Sequence, residues 1–452
     1  MNNFSGALRL TDLNDFIGPS QECIKPVPVK KSKKRGVVRV HDDGALTQNS
    51  LPLQKQTISL TDCLACSGCV TSAETVLIES QSIGTLQRAR SETHKSHVFA
   101  ATLSPQSATS IAHKLGIGYE EACKRLISAL RCDGYKYVFT SVEGSEVCHQ
   151  LSAEELLKSD PDKQGSEAET SHFVDTGVKK PVLASACPGW ICYAEKTQGA
   201  AILDHISRIR SPQSVMGFLV KSIVSQRENI LFSQVYHISI MPCYDKKLEA
   251  SRADFISKEH GCPETDLVLS TAEALDLWGG SQSTDSVNNL HFDSVLNDHP
   301  FPFKTLNGGG SGGFAERILH HIARTLNFSG PLEINFKQLR NKDLLEAVVA
   351  INGTEFRVAK AYGFRNIQNI MQKLKHRRCN YDYIELMACP AGCLNGGGQI
   401  KLEDSSQLDD LSSVYSSVSC DQLKPAGSFV SGLFLTSYKA VEKSVSALST
   451  QW

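Results

Sequence analysis

The chain has 452 residues, of which 41% are hydrophobic and 21% charged, with 47 Lys and Arg against 48 Asp and Glu. This apolar content excludes an intrinsically disordered protein, and the net charge of -1 removes bulk charge as an argument for nucleic-acid binding. The length allows roughly two to four domains. Fifteen cysteines are too few for a disulfide scaffold, yet numerous for a chain with no obvious export signal.

The cellular compartment decides how these cysteines are interpreted. The first residues, MNNFSGALRLTDLNDF, lack the basic start and apolar stretch of a secretory signal. No segment contains about 18 uninterrupted apolar residues, the length needed to span a membrane. We therefore expect a soluble intracellular protein, in which clustered thiols are reduced and either bind metal or do chemistry.

Residues 1–95 contain short polar stretches and no long periodic helix, which predicts a small, loop-rich unit held together by something other than a core. Cys63, Cys66 and Cys69 form the run CLACSGC, and Cys23 is the natural fourth ligand upstream. Such a run holds three corners of a 4Fe-4S cubane while a distant cysteine supplies the fourth. Zinc stays open as an alternative, although structural zinc sites usually present two separated CxxC pairs.

A basic run, KKSKKRG at residues 30–36, lies between Cys23 and Cys63. It is interpreted foremost as a solvated linker, with a nuclear import signal or a basic loop beside a negatively charged cluster as alternatives.

From residue 97 the pattern changes to short apolar runs separated by helical stretches, which predicts parallel α/β units. One helix is expected over 108–130 and another from Phe314 to Leu326, and two polar stretches, 159–172 and 279–295, are expected to be surface loops. The glycine-rich run 307–313 predicts a close backbone approach at the start of a helix. A nucleotide-binding phosphate loop is the less favoured alternative, because the run lacks a preceding strand and the Lys and Ser/Thr that would follow. The predicted strands are 98–105, 136–140, 181–185, 235–241, 266–270, 347–351, 356–361 and 381–388.

Cysteines follow three of these strands directly. ASACPGW places Cys187 after one strand, MPCYDKK places Cys243 after another, and ELMACPAGCLNGGGQ places Cys389 and Cys393 after a third. Ligand sites of parallel sheets form outside the carboxyl ends of strands, so these four thiols are predicted to meet in one crevice and form a second 4Fe-4S site. The glycines at 392 and 396–398 would allow a close backbone approach there.

These three motifs resemble the signature segments of iron-only hydrogenases, which read approximately TSCCPGW, MPCxxK and ExMACxGGCxxGGGQ. SPQSVMGFLVK at 211–221 also resembles a hydrogenase stretch. Together with FSGALRLTDLNDFIGPSQECIKP and AYGFRNIQNIMQKLK, the chain is more similar still to the hydrogenase-like cytosolic iron-sulfur assembly factors of eukaryotes, the nuclear prelamin A recognition factor-like family.

The resemblance implies a fold of two parallel-sheet lobes of iron-only hydrogenase type with a small N-terminal iron-sulfur domain. It divides the chain into a ferredoxin-like region (1–95), hydrogenase-like lobes (96–210 and 211–400) and a tail resembling the small subunit (401–452). It also implies that Cys187, Cys243, Cys389 and Cys393 ligate a 4Fe-4S cluster between the lobes.

The resemblance further assigns residues around the place of the hydrogenase di-iron unit. Lys246 matches a lysine that contacts a cyanide ligand, and Met241 and Met387 match flanking methionines. Ala186 stands where hydrogenases have their proton-relay cysteine, and a methyl group cannot carry a proton, so no hydrogenase activity is expected. Ala391 replaces a glycine and adds a methyl group near the same space.

The family implies a cytosolic, and alternatively also nuclear, component of iron-sulfur assembly. It would bind two 4Fe-4S clusters, receive them from an upstream scaffold and deliver them to apo-proteins through a targeting complex, without contacting nucleic acid or membrane. Two other classes stay open: an active iron-only hydrogenase, and a lamina-binding or electron-transfer iron-sulfur protein.

Two further features concern the C-terminus and the remaining thiols. The terminal Trp452 is either frayed chain or, as the family implies, a handle for the targeting complex. Among the seven cysteines outside the two sites, Cys123 is predicted to be a core residue, and Cys192 is the one that competes as a ligand.

Overall fold

A computed structural model describes residues 72–93, 96–159, 175–279, 290–404, 406–420 and 431–440. Cys23, Cys63, Cys66, Cys69, the basic run 30–36 and Trp452 lie outside these described residues. In chain order the helices are α1 Ser72–Ser80, α2 Ile83–Thr93, α3 Pro105–Leu115, α4 Tyr119–Cys132, α5 Val142–Lys158, α6 Pro188–Thr197, α7 Ala200–Leu203, α8 Pro212–Glu228, α9 Asp245–Ala250, α10 Thr271–Trp278, α11 Phe314–Thr325, α12 Phe364–Lys375 and α13 Ser406–Ser417.

The strands form two main sheets and one short ribbon. They are β1 Val98–Leu103, β2 Tyr137–Thr140, β3 Val182–Ala184, β4 Val235–Met241, β5 Leu267–Ser270, β6 Thr305–Leu306, β7 Lys337–Gln338, β8 Leu344–Ile351, β9 Thr354–Tyr362, β10 Tyr383–Met387 and β11 Ser419–Cys420. The first sheet has the order β2-β1-β4-β5, the second has the order β3-β10-β9-β8-β7, and β11 pairs with β6.

The first sheet is parallel throughout, and its strands are apolar and buried because helices cover them. The residue after β1, Ser104, caps α3 by accepting a hydrogen bond from the Ser107 N–H at 3.2 Å, and Pro105 occupies the first turn. Helix α3 ends at Gly116, whose φ of 63° is left-handed, so the single helix expected over 108–130 is two helices. Cys123 is fully buried in this core, as predicted.

The second sheet is mixed. Strands β3, β10 and β9 run parallel, whereas β8 runs antiparallel to both β9 and β7. The sequence indicated only parallel units here, but β8 and β9 are joined by Asn352 and Gly353, both with positive φ, which is the tight-turn chemistry of a hairpin.

The two sheets exchange strands along the chain. Strands β1 and β2 belong to the first sheet, whereas the next strand, β3, pairs with β10 in the second sheet. The chain then returns to the first sheet at β4. Each sheet therefore draws strands from both sides of residue 210, the boundary expected between two lobes. No helix within the described ranges is both long and apolar enough to cross a membrane.

The region expected to be loop-rich also contains helices. Helices α1 and α2 lie between residues 72 and 93, where the sequence showed no long apolar periodicity. Tertiary contacts stabilise them: Ile78 is buried with Leu248 of α9, and Leu86 is buried in the core around the first sheet.

Candidate metal centre

Four cysteine thiols come from the carboxyl ends of three strands. Cys187 lies three residues after β3, Cys243 two residues after β4, and Cys389 two residues after β10. Cys393 lies in a short 3-10 turn, Gly392–Asn395, that follows the same strand. Strands β3 and β10 belong to the second sheet and β4 to the first, so the candidate ligands come from both sheets.

The structure brings these four thiols close enough to affect one another's ionisation. Burial raises the pKa of Cys243 well above its usual range, and the carboxylate of Asp245 and the thiols of Cys187 and Cys389 raise it further. Burial raises the pKa of Cys389 in the same way, with Cys187 and Cys393 as neighbours. Four thiols around one space are the donor set of a cubane, and each must lose its proton to bind iron.

Burial likewise raises the pKa of Cys187, and it raises the pKa of Cys393 to about 12. The Cys187 Sγ accepts a hydrogen bond from the Ala388 N–H at 3.5 Å, and the Cys393 Sγ lies 4.0 Å from the Met387 Sδ. Hydrogen bonds and soft contacts of this kind orient ligands and tune a cluster.

A single metal ion fits less well than a cluster. Among the residues that the structure describes, no three His, Cys, Asp or Glu side chains meet at the spacing of one ion. A cubane instead binds each thiolate at a separate corner, so its ligands lie farther apart than those of tetrahedral zinc. Within the described residues, the four thiols are therefore not arranged as the ligands of one metal ion.

The glycine-rich stretch after Cys393 packs against the backbone around Cys243. A Cβ atom at Gly396 would lie 2.3 Å from the carbonyl oxygen of Pro242, and one at Gly398 would lie 3.1 Å from the Cys243 Cα. The Gly398 N–H also donates to the Pro242 carbonyl at 3.0 Å. The prediction that glycines permit a close approach here is confirmed.

The other glycine-rich run, 307–313, also contacts the cysteine loop, and α11 begins directly after it. The Ser311 Oγ accepts a hydrogen bond from the Cys393 N–H at 3.0 Å. A Cβ at Gly310 would lie 2.3 Å from Leu394, and Gly392 has a φ of 77° with Ser311 beside it. The sequence predicted a close approach at a helix start, but not that its partner was the cysteine loop.

Lys246 is bound by other side chains of the protein. Its Nζ donates to the Glu249 carboxylate at 2.8 Å and to the Ser211 Oγ at 3.2 Å, and Gln213 also donates to Glu249. Lys246 and Glu249 are buried, so this ion pair is protected from solvent. The ammonium group that the resemblance directs toward a di-iron unit is therefore held by Glu249.

The two alanines singled out by the resemblance lie beside the thiols. Ala186 is partly buried against the core of the second sheet, next to Cys187. Ala391 has a φ of 57°, a left-handed conformation that favours glycine, and its N–H donates to the Asp343 carboxylate at 2.8 Å. The competing thiol Cys192 lies near enough to Arg252 to raise the pKa of its guanidinium, although Glu195 raises that pKa more.

Helices α1 and α2, which follow Cys69, dock next to this site. The Gln81 side chain donates to the Lys247 carbonyl at 2.8 Å and to the Ser251 Oγ at 2.7 Å, and it accepts from the Val268 N–H at 3.0 Å. Lys247 lies on α9, which begins two residues after Cys243. The chain that leaves the N-terminal cysteine run is thus anchored to the helix beside the crevice.

Comparison with known proteins identifies the family. Residues 97–397 match the model of the iron only hydrogenase large subunit, C-terminal domain. The chain is 42% identical to cytosolic iron-sulfur assembly component 3 of Bos taurus over 99% of both chains, and 41% identical to the cytosolic Fe-S cluster assembly factor narfl of Xenopus tropicalis over 100% of this chain and 99% of the other.

Among solved structures, the chain is similar to the FeFe-hydrogenase HydA1 of Chlamydomonas reinhardtii, with a TM-score of 0.63 and 22% identity over 79% of this chain and 99% of that one. At this identity the likeness establishes the hydrogenase fold alone. The full-length relatives carry the assignment further, and the chain belongs to the family of cytosolic iron-sulfur cluster assembly factors built on the iron-only hydrogenase domain.

Proposed function

We propose that this protein holds two 4Fe-4S clusters and delivers clusters to cytosolic and nuclear apo-proteins through a targeting complex. The observation that carries the proposal is the convergence of Cys187, Cys243, Cys389 and Cys393 from two sheets into one crevice. Cys23, Cys63, Cys66 and Cys69 would hold the second cluster in the N-terminal region. Each cubane would supply iron and sulfide held by four thiolates.

The residues of the crevice favour holding a cluster over hydrogen chemistry. Ala186 cannot relay a proton, and Lys246 is paired with Glu249. The relatives at about 40% identity are named assembly factors, which supports the same conclusion. The protein would therefore act as a carrier in the cytosol, with an upstream scaffold as its source and Trp452 as its contact with the targeting complex.

The ligand assignment is tested by anaerobic purification with quantitation of iron and sulfide. The wild type should contain about eight irons, and Cys243→Ala and Cys66→Ala should each lose about half of them. Cys192→Ala is the matched control and should keep the full content, because Cys192 is not one of the eight proposed ligands. Full iron and sulfide in both ligand variants would show that the eight-ligand assignment is wrong.

The delivery role is tested by following labelled iron from the protein to an apo 4Fe-4S client. Transfer should depend on the targeting complex, and a variant lacking Trp452 should lose binding to that complex while keeping its iron. Reversible redox cycling without any client maturation would instead indicate an electron-transfer protein. Hydrogen evolution from reduced viologen by the same sample would indicate a hydrogenase.

A further inference from the structure

A strongly basic surface lies on α12 and the neighbouring loop. Helix α12 and the residues after it, 364–380, contain no Asp or Glu, and neither does the segment 334–342. We define the α12 basic surface by seven cations of these two segments. They are Arg340, Lys342, Arg365, Lys373, Lys375, Arg377 and Arg378. All seven are exposed.

The two segments are held together by a reciprocal amide pair. The Asn341 side chain donates to the Asn366 side chain at 3.0 Å, and the Asn366 side chain donates back at 3.0 Å. The loop carrying Arg340 and Lys342 therefore lies beside the first turn of α12, next to Arg365. From Arg365 to Lys375 the helix extends by about 15 Å, so the cations of α12 are distributed along its exposed side, called the stripe below.

These cations are not balanced within the protein. Elsewhere, basic side chains commonly pair with carboxylates, as Arg317 pairs with Glu146 at 2.7 Å and Arg210 with Glu264 at 2.8 Å. Across the described part of the chain, no carboxylate lies within ion-pair distance of any of the seven cations. The chain as a whole has a net charge of -1, so the stripe is a local region of positive electrostatic potential.

Helix electrostatics account for only some of the cations. Lys373 and Lys375 lie in the last turn of α12, where positive charge is favourable. Arg365 lies in the first turn, where the helix dipole favours an acid, and no acidic residue occurs there. Helix electrostatics therefore do not explain the positive charge of Arg365.

One end of the stripe adjoins the candidate metal centre. The Asp343 carboxylate, directly after the cationic loop, accepts from the Ala391 N–H between Cys389 and Cys393. At the start of α12, the Gly363 N–H donates to the Met387 carbonyl at 2.8 Å. A partner seated on the stripe would therefore reach the rim of the crevice.

We infer that the α12 basic surface docks an acidic segment of a partner protein at the rim of the thiol crevice. This surface offers seven cations beside the exposed Leu339, a combination suited to an acidic peptide with an apolar anchor. A nucleic acid would meet the same cations, and its binding is the outcome that the DNA duplex in the test distinguishes. The inference does not depend on whether the crevice holds a cluster.

The test uses the full-length protein and a fluorescent 20-residue polyglutamate peptide, with a 20-base-pair DNA duplex for comparison. The triple variant Lys373→Glu, Lys375→Glu and Arg377→Glu should bind the peptide about tenfold more weakly than the wild type. The control reverses three exposed lysines elsewhere, Lys114, Lys258 and Lys304, and so changes net charge equally. It should bind the peptide within about twofold of the wild type.

Circular dichroism and the urea midpoint establish that both variants are folded. An equal loss of peptide binding in the control would mean that bulk charge, not the α12 basic surface, is responsible, and would overturn the inference. So would an absence of peptide binding by the wild type, or tighter binding of the duplex than of the peptide at the same salt concentration.

Discussion

The Nζ of Lys247 lies 2.6 Å from the main-chain carbonyl oxygen of Gln81 and 2.8 Å from the Glu273 carboxylate. Lys247 is almost fully buried, so its charge depends on both partners. This contact joins the turn between α1 and α2 to α9, and thereby joins the segment after Cys69 to the helix after Cys243.

The first prediction concerns Gln81. Gln81→Ala removes three side-chain hydrogen bonds and leaves the buried Val268 N–H without its acceptor. The free energy of unfolding should fall by about 2–4 kcal/mol, and hydrogen exchange should accelerate in α1 and α2. Gln87→Ala on the exposed side of α2 is the control and should change neither quantity. Unchanged protection in the Gln81 variant would mean that α1 and α2 are held by apolar contacts alone.

The second prediction concerns the buried pair of Lys246 and Glu249. Lys246→Met leaves the Glu249 carboxylate buried with Gln213 as its remaining donor, and should lower the free energy of unfolding by about 3–5 kcal/mol. The double variant Lys246→Met, Glu249→Gln removes both charges and should recover most of that loss in urea unfolding. If the double variant were as unstable as the single one, packing rather than charge pairing would explain the effect.

The third prediction concerns Ala186. Ala186→Cys restores the thiol that hydrogenases have at this position, yet the variant should still evolve no hydrogen from reduced viologen. Glu249 and Ser211 still hold the Lys246 ammonium, and Ala391 still replaces the glycine that the resemblance implies near the di-iron unit. Gas chromatography of the anaerobic reaction measures the outcome, with Ala186→Ser as the matched control. Hydrogen above the control would mean that the relay thiol alone separates this chain from a hydrogenase.

The fourth prediction concerns the dependence of stability on pH. Burial lowers the pKa of His149 to about 3, while the Glu146 carboxylate opposes that shift and Arg317 and His321 on α11 add to it. The unfolded chain protonates this histidine near its ordinary pKa of 6.5, so it binds the proton that the folded chain excludes. The stability contributed by neutral His149 is therefore complete above pH 6.5 and is lost as the pH falls toward 3.

His149→Phe should remove this contribution and reduce the acid-side slope of the unfolding free energy by about 1.4 kcal/mol per pH unit. The ring of Phe314, whose centroid is 4.6 Å from that of His149, provides the control. Phe314→Leu changes the packing without removing a titrating group, so it should lower stability by a similar amount at every pH. Urea unfolding between pH 4 and 7.5 distinguishes the two, and parallel curves for wild type and His149→Phe would contradict the assignment.

Much of the fold could be predicted from local sequence. Strand β4 coincides with the predicted 235–241 because its largely apolar run with β-branched residues is bounded by Gln234 and Pro242. The three motifs also placed Cys187, Cys243 and Cys389 after strands, as found. Turn chemistry was the first signal missed: Asn352 and Gly353 mark the β8–β9 hairpin that makes the second sheet mixed.

The rest depended on contacts between residues far apart in the sequence. Nothing near β3 indicates that it pairs with β10, because the Cys187 Sγ and the Ala388 N–H that meet there are 201 residues apart in the chain. The bond between Ser311 and Cys393 and the capture of Lys246 by Glu249 are of the same kind. Residue types and spacing predicted a crevice lined by thiols. The contacts that surround those thiols could be identified only from the tertiary structure.

Strands β3 and β10 are neighbours in the second sheet but far apart in the chain. Their order of synthesis therefore determines when the crevice can form. A ribosome releases Cys187 and β3 well before β10, so β3 can form its bridge to Ile206 early but cannot pair with β10 until that strand has emerged. Cys389 and Cys393 follow β10, so nearly half of the chain is added between the release of Cys187 and that of Cys393. Iron proposed for this site could therefore be bound by all four thiols only after Cys393 has emerged, when the chain is almost complete.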